Sequence, residues 1–162
     1  MAIVKTIIFT ILVPGSATIL APYLLVSSGL AQHRCEIGLF RLAGFVPLLP
    51  GIEVYLWCAG NFAVIGKGTP APIDPPKVLV QRGLYRLVRN PMYVGILLIL
   101  AGEAVLLGSL PLAAYAGLLW LAFHLFVVSY EEPFLRKKFG SAYDEYRNHV
   151  PRWVPKVFRN PQ

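Results

Sequence analysis

Met92-Tyr-Val-Gly-Ile-Leu-Leu-Ile-Leu-Ala-Gly-Glu-Ala-Val-Leu-Leu-Gly-Ser-Leu110, then Pro111, then Leu112-Ala-Ala-Tyr-Ala-Gly-Leu-Leu-Trp-Leu-Ala-Phe-His-Leu-Phe-Val-Val-Ser-Tyr130 are two consecutive apolar runs. A helix needs about 20 mostly apolar residues to cross a bilayer. Glu103 is the one acid and His124 the one basic side chain in the two runs. Only Ser109-Leu110-Pro111 separates them. That spacing predicts a tight hairpin, with its two helices antiparallel and side by side.

Two more runs qualify upstream, residues 6–30 and 42–65. Pro14 and Pro22 are expected to bend the first, which membrane helices tolerate when neighbours satisfy the freed backbone groups. Glu53 interrupts the second. Lys5 followed by apolar residues resembles a signal peptide, but the uncharged stretch continues to His33. It reads as a retained transmembrane helix. The sequence thus predicts an all-α integral membrane protein of about four transmembrane helices. A C-terminal amphipathic cytoplasmic helix follows over 131–146, broken near Phe139-Gly140. Phe134, Leu135 and Phe139 are expected on the membrane surface, and Lys137 and Lys138 at the headgroups. The whole chain, 1–162, reads as a single membrane domain. Residues 1–65 form its N-terminal spans and 66–162 a functional core.

Composition agrees with a bilayer. The chain is 56% hydrophobic and 14% charged, against about 25% charged in soluble domains. A net charge of +7 could indicate nucleic acid, but the cations flank apolar spans. The anionic inner leaflet is therefore the expected partner, and no nucleic acid is expected. Lys67, Lys77, Arg82, Arg86 and Arg89 precede the hairpin, and a second basic cluster follows it. The positive-inside bias places both termini and the 66–90 loop in the cytoplasm. Residues 66–76, rich in proline and glycine, read as a stiff, extended loop. Cys35 and Cys58 have neither metal-ligand nor disulfide-framework spacing, so no metal is expected.

Chemistry concentrates where the hairpin's two ends meet. Arg89-Asn-Pro-Met-Tyr93 opens one helix, and Glu131-Glu132 closes the other. A tight hairpin makes these ends neighbours, so Arg, Asn and Tyr face two glutamates. Such a pocket suits a zwitterionic ligand that carries a cation. Tyr85 and Tyr93 offer aromatic faces, Arg86 and Arg89 with free helix-start amides suit an anion, and Glu131 suits an ammonium or ribose hydroxyls. His124 lies seven residues before Glu131, hence on the same helix face.

Residues 77–152 resemble the isoprenylcysteine carboxyl methyltransferase and phospholipid N-methyltransferase superfamily of membrane enzymes. The resemblance rests on Gly83, Tyr85, Arg89, Asn90, Pro91, Tyr93 and Gly95, then Glu131 and Glu132, then Phe139, Gly140, Tyr143, Tyr146, Val150 and Pro151. It implies S-adenosylmethionine as methyl donor, without a Rossmann domain. By position, the donor site would include Lys77, Val78, Leu79, Val80, Tyr85, Asn90, Pro91, Met92, Tyr93 and Glu131. A lipid-like acceptor would enter sideways from the bilayer.

The resemblance also implies limits. Isoprenylcysteine enzymes carry histidine where this chain has Asn90. Their substrate-binding arginine, four positions before the first glutamate, is Val127 here. A prenylcysteine carboxylate would lose that counter-ion. In-line displacement at a sulfonium methyl relies mainly on positioning, with Arg89, Glu131 and His124 as candidate catalytic groups. An amine acceptor must also lose a proton, which Glu131, Glu132 or His124 could take. Two readings compete: a non-enzymatic membrane binding or transport protein using a polar path through Glu53, Glu103 and His124, and a membrane reductase with a nicotinamide cofactor.

Overall fold

The computed structural model describes residues 2–29, 35–64 and 78–155. Lys77 and the 66–76 loop lie outside the described residues. Within them the chain is all helical: α1 (Ala2–Leu12), α2 (Ala21–Ser27), α3 (Phe45–Val64), α4 (Pro91–Leu107), α5 (Leu110–Phe126), α6 (Glu132–Phe139) and α7 (Ser141–His149). Three helical stretches are long and apolar enough to cross a membrane: Thr6–Ser27, Gly38–Asn61 and Leu110–Phe139. Pro91–Leu107 is also apolar but shorter. At 1.5 Å per residue it spans about 26 Å. Many of the apolar side chains face outward, among them Ile8, Ile11, Ile19, Leu56 and Leu118. In a membrane protein that surface is solvated by acyl chains.

Two of the three long helices contain a π-turn, and both turns have the same cause. Ser16–Leu20 joins α1 to α2, and Val127–Glu131 joins α5 to α6. Pro22 follows the first and Pro133 the second. Neither proline has an N–H for the carbonyl four residues earlier. The amide just before each proline instead reaches back five residues: Ala21 to the Ser16 carbonyl, and Glu132 to the Val127 carbonyl. The helix continues with one extra residue in the turn, which re-aims the side chains beyond it. Thr18 Oγ1 donates to the Pro14 carbonyl at 2.8 Å.

The tightest packing joins α3 and α4. A Cβ on Gly95 would stand 3.0 Å from the Gly51 carbonyl oxygen, and one on Gly102 2.7 Å from that of Gly44. Small residues let these backbones approach, as helices in lipid do without a hydrophobic drive between them. Around the contact lie Tyr55, Cys58, Ile96 and Leu100, and Leu112 of α5 completes the core. α4 ends on Gly108 in the left-handed conformation, and the Ser109 hydroxyl accepts from the Leu112 amide at 3.4 Å.

α6 and α7 build a second core of Tyr143, Tyr146 and Val150, with Leu79, Leu135 and Phe139 packed against it. Leu135 and Phe139, both part-buried, thus turn one side onto these tyrosines. Phe134 stacks on Tyr130 at 6.2 Å, and the Lys138 ammonium sits over the Phe134 and Phe139 rings at 5.8 and 5.6 Å.

Candidate active site

The start of α4 meets the π-turn that ends α5. Tyr93 on the first turn of α4 donates its phenolic hydrogen to Glu131 Oε2, 3.1 Å away. Its ring is held by Phe123 at 4.6 Å and Trp153 at 6.4 Å between centroids. The adjacent glutamate points elsewhere. Glu132 accepts from Arg152 twice, Nε to Oε1 at 2.7 Å and Nη2 to Oε2 at 3.0 Å. Arg89 Nη1 lies 3.2 Å from the same Oε1. Glu132 is therefore held between two guanidiniums, while Glu131 makes one hydrogen bond to a phenol.

The chain from 151 to 153 is stitched across both helix ends. The Arg89 amide donates to the Pro151 carbonyl at 2.8 Å, and Asn90 Nδ2 donates to the Arg152 carbonyl at 3.3 Å. Trp153 Nε1 donates to His124 Nδ1 at 3.1 Å. That bond needs an unprotonated Nδ1, so the proton of a neutral His124 sits on Nε2. Below, Tyr146 donates to the Tyr85 carbonyl at 2.6 Å. Gly83, at φ +59°, lets the chain pass under Trp57, whose ring a Cβ would meet at 1.7 Å. Burial, then the neighbouring Cys58 thiol, pushes the Tyr85 phenol well above its ordinary range, so it stays neutral. Hydrogen bonding to Glu132 likewise holds Arg152 in its charged form.

Some of these groups bound a cavity of about 480 Å³. Tyr85, Arg89, Asn90, Met92, Tyr93 and Glu131 form its polar end. Its remaining lining is almost wholly apolar. Val13, Pro14, Ala17 and Ala21 contribute from the N-terminal helix, and Tyr115 and Phe123 from α5. Among the described residues, Arg89 is its one cationic and Glu131 its one acidic lining residue. The Arg89 side chain is 9% exposed; its guanidinium pairs with Glu132 through Nη1 and hydrogen-bonds the Tyr143 side chain, while its Nε has no hydrogen-bond partner among the described residues. A buried guanidinium with an unused donor suits an anion.

Several residues expected at the site line this cavity: Tyr85, Arg89, Asn90, Met92, Tyr93 and Glu131. Pro91 is fully buried at the start of α4 beside it. Val80 lies in the main core, Leu79 packs on the tyrosine cluster, and Val78 is exposed. Lys77 lies outside the described residues. His124 is not in the lining. The π-turn between it and Glu131 breaks the 3.6-residue periodicity behind the same-face expectation. Glu53 is exposed and Glu103 partly buried, and neither lines the cavity.

Two contributions escaped the sequence reading. The N-terminal helix supplies a whole wall, from Phe9 to Leu24. Pro22, two residues past a π-turn and one past Ala21, is its visible mark. Trp153 backs Tyr93, and no motif pointed to it.

Residues 54–142 match the model of the phospholipid methyltransferase family. Over 80 residues the chain is 38% identical to protein-S-isoprenylcysteine O-methyltransferase B of Arabidopsis thaliana, covering 49% of this chain and 40% of that protein. It is 34% identical to the protein-S-isoprenylcysteine O-methyltransferase of Schizosaccharomyces pombe, covering 49% of this chain and 34% of the relative. Methanethiol S-methyltransferase 2 of Bradyrhizobium diazoefficiens is 38% identical over 75 residues, 46% of this chain and 28% of that protein. The alignments thus span less than half of each relative's length. No solved structure matches the chain.

Proposed function

The chain belongs to the phospholipid methyltransferase family, and from that premise we propose that it transfers a methyl group from S-adenosylmethionine to a lipid-like acceptor at the cytoplasmic membrane face. The carrying observation is the polar end of the cavity, where Glu131, held by Tyr93, and the underused guanidinium of Arg89 share one enclosed space. Their chemistry fits the donor, which presents an amino-acid carboxylate, a cationic sulfonium and ribose hydroxyls.

When bound, the donor supplies an electrophilic methyl for in-line attack. The chain's part is positioning and exclusion of water. Arg89 binds the carboxylate, and Glu131 binds the ribose hydroxyls or the cation. Tyr85, Asn90 and Met92 enclose the remainder. Glu131 also stands where a departing acceptor proton can be taken up, whereas Glu132 is committed to Arg89 and Arg152. His124 acts through Trp153 and Tyr93, as a positioning residue.

The apolar wall between the N-terminal helix and α5 receives the acceptor, which enters from the bilayer. Among the described residues Arg89 is the cavity's one cation and belongs to the donor end, and Val127 is buried and apolar. An acceptor carboxylate finds no counter-ion among the described residues, which favours an amine over a carboxylate. In this reading α4 makes a fourth crossing, paired with α5 in a hairpin, and both termini are cytoplasmic.

Incubating the purified chain with methyl-labelled donor and a lipid extract tests this. We expect label in the lipid fraction, on a base-stable amine. No label in lipid contradicts the function, and a base-labile methyl ester contradicts the amine.

A further inference from the structure

A second concave site lies on the other side of Glu132. It encloses about 560 Å³ and is lined by Val128, Glu132, Pro133, Arg136, Lys137, Arg147 and Arg152. Its four cations come from α6, from α7 and from the segment after α7. Among the described residues Glu132 is the one acid in the lining, and it is already held by Arg89 and Arg152. Arg136 is paired with Asp144 at 3.1 Å. Lys137 and Arg147 have no ion-pair or hydrogen-bond partner among the described residues. Their neighbour Lys138 is turned away onto the Phe134 and Phe139 rings.

Cations converging on one concavity repel each other unless an anion joins them. The lip of the site identifies the kind of anion. Val128 belongs to the apolar stretch Leu110–Phe139 and is 41% exposed, and Tyr130, two residues on, is 48% exposed. The cations therefore begin where the acyl-chain surface ends, which is the level of lipid phosphate. We propose that Lys137 and Arg147, with Arg136 and Arg152 beside them, form a binding site for the phosphate of an anionic phospholipid, separate from the methyl-transfer cavity. A lipid held there bridges α6 and α7 next to the Arg152–Glu132 pair.

Native mass spectrometry of the full chain tests this, in detergent with phosphatidylglycerol and phosphatidylcholine of identical acyl chains. At about 1 kcal/mol per cation near a lipid surface, we expect retention of phosphatidylglycerol over phosphatidylcholine by about tenfold or more. Lys137→Gln with Arg147→Gln should bring the ratio close to one, and Lys137→Arg with Arg147→Lys should keep it. Arg82→Gln with Arg86→Gln, which removes equal charge from the other basic cluster, should also keep it. Equal loss in both neutralised doubles would mean diffuse attraction and overturn the site. So would absence of any preference in the unmodified chain. Competition by inorganic phosphate at equal concentration would overturn the lipid as its source.

Discussion

Tyr93 and Glu131, 38 residues apart on different helices, share a 3.1 Å hydrogen bond at the polar end of the cavity. The phenol takes up one carboxylate oxygen and leaves the other for a ligand. Tyr93→Phe removes that donor while keeping the ring between Phe123 and Trp153. Losing a hydrogen bond to a charged group costs about 1.5–3 kcal/mol. Methyl transfer should fall by about tenfold or more in kcat/KM, with the melting temperature changed by only a few degrees. An unchanged kcat/KM would separate Tyr93 from the site.

Glu132 should behave in the opposite way. Its side chain is 11% exposed and is shared by Arg89 and Arg152. Removing one partner of a buried ion pair costs about 3–5 kcal/mol because a charge is left behind. Glu132→Ala should therefore lower the melting temperature by roughly 6–20 °C, and Glu131→Ala by far less. Thermal unfolding in detergent checks the contrast. Equal destabilisation by the two would show that the glutamates do not divide these tasks.

What the sequence made legible follows from which forces act locally. Charge-free runs near bilayer length report a membrane helix directly, because the bilayer penalises charge residue by residue. The sequence reading also brought 89–93 near Glu131 and Glu132, and the structure joins Tyr93 to Glu131 and Arg89 to Glu132. It left the glutamates' tasks undivided, because the division depends on a π-turn. That turn has no residue composition of its own and is marked only by Pro133 two residues later. The N-terminal wall was hidden for the same reason, since apolar residues facing a cavity read like apolar residues facing lipid. Leu135 and Phe139 were assigned to the membrane, yet they pack on Tyr143 and Tyr146. Amphipathic spacing gives a face but not what covers it.

The wall itself can be tested by filling it. Ala21 is half-buried and lines the apolar part of the cavity. Ala21→Phe places a ring where the acceptor is assigned. A pocket contact of this kind is worth about 1–3 kcal/mol. The acceptor KM should rise about tenfold while affinity for S-adenosylhomocysteine stays the same. A loss of S-adenosylhomocysteine affinity, with the acceptor KM unchanged, would place the donor against the N-terminal helix instead.

Tyr146 gives a pH dependence. Burial chiefly, and the Tyr143 phenol, push its pKa up, against the opposing effect of Arg89. A raised pKa means that the folded chain holds this proton more tightly than the unfolded one. The contribution is complete below the ordinary tyrosine value of about 10 and is lost as the pH rises beyond it. Melting temperatures between pH 8 and 11 should fall at the alkaline end. The fall should be smaller in Tyr146→Phe, which also loses the 2.6 Å bond to the Tyr85 carbonyl. Identical slopes for the two proteins would show that Tyr146 does not contribute to it.

Donor binding by Glu131 is tested most directly by calorimetric titration of S-adenosylhomocysteine into the detergent-solubilised chain and its Glu131→Ala variant. We expect saturable one-to-one binding to the unmodified protein, weakened about tenfold or more in Glu131→Ala, with both proteins folded. Absence of binding to the unmodified chain, or equal affinity in the variant, would contradict a donor site at Glu131.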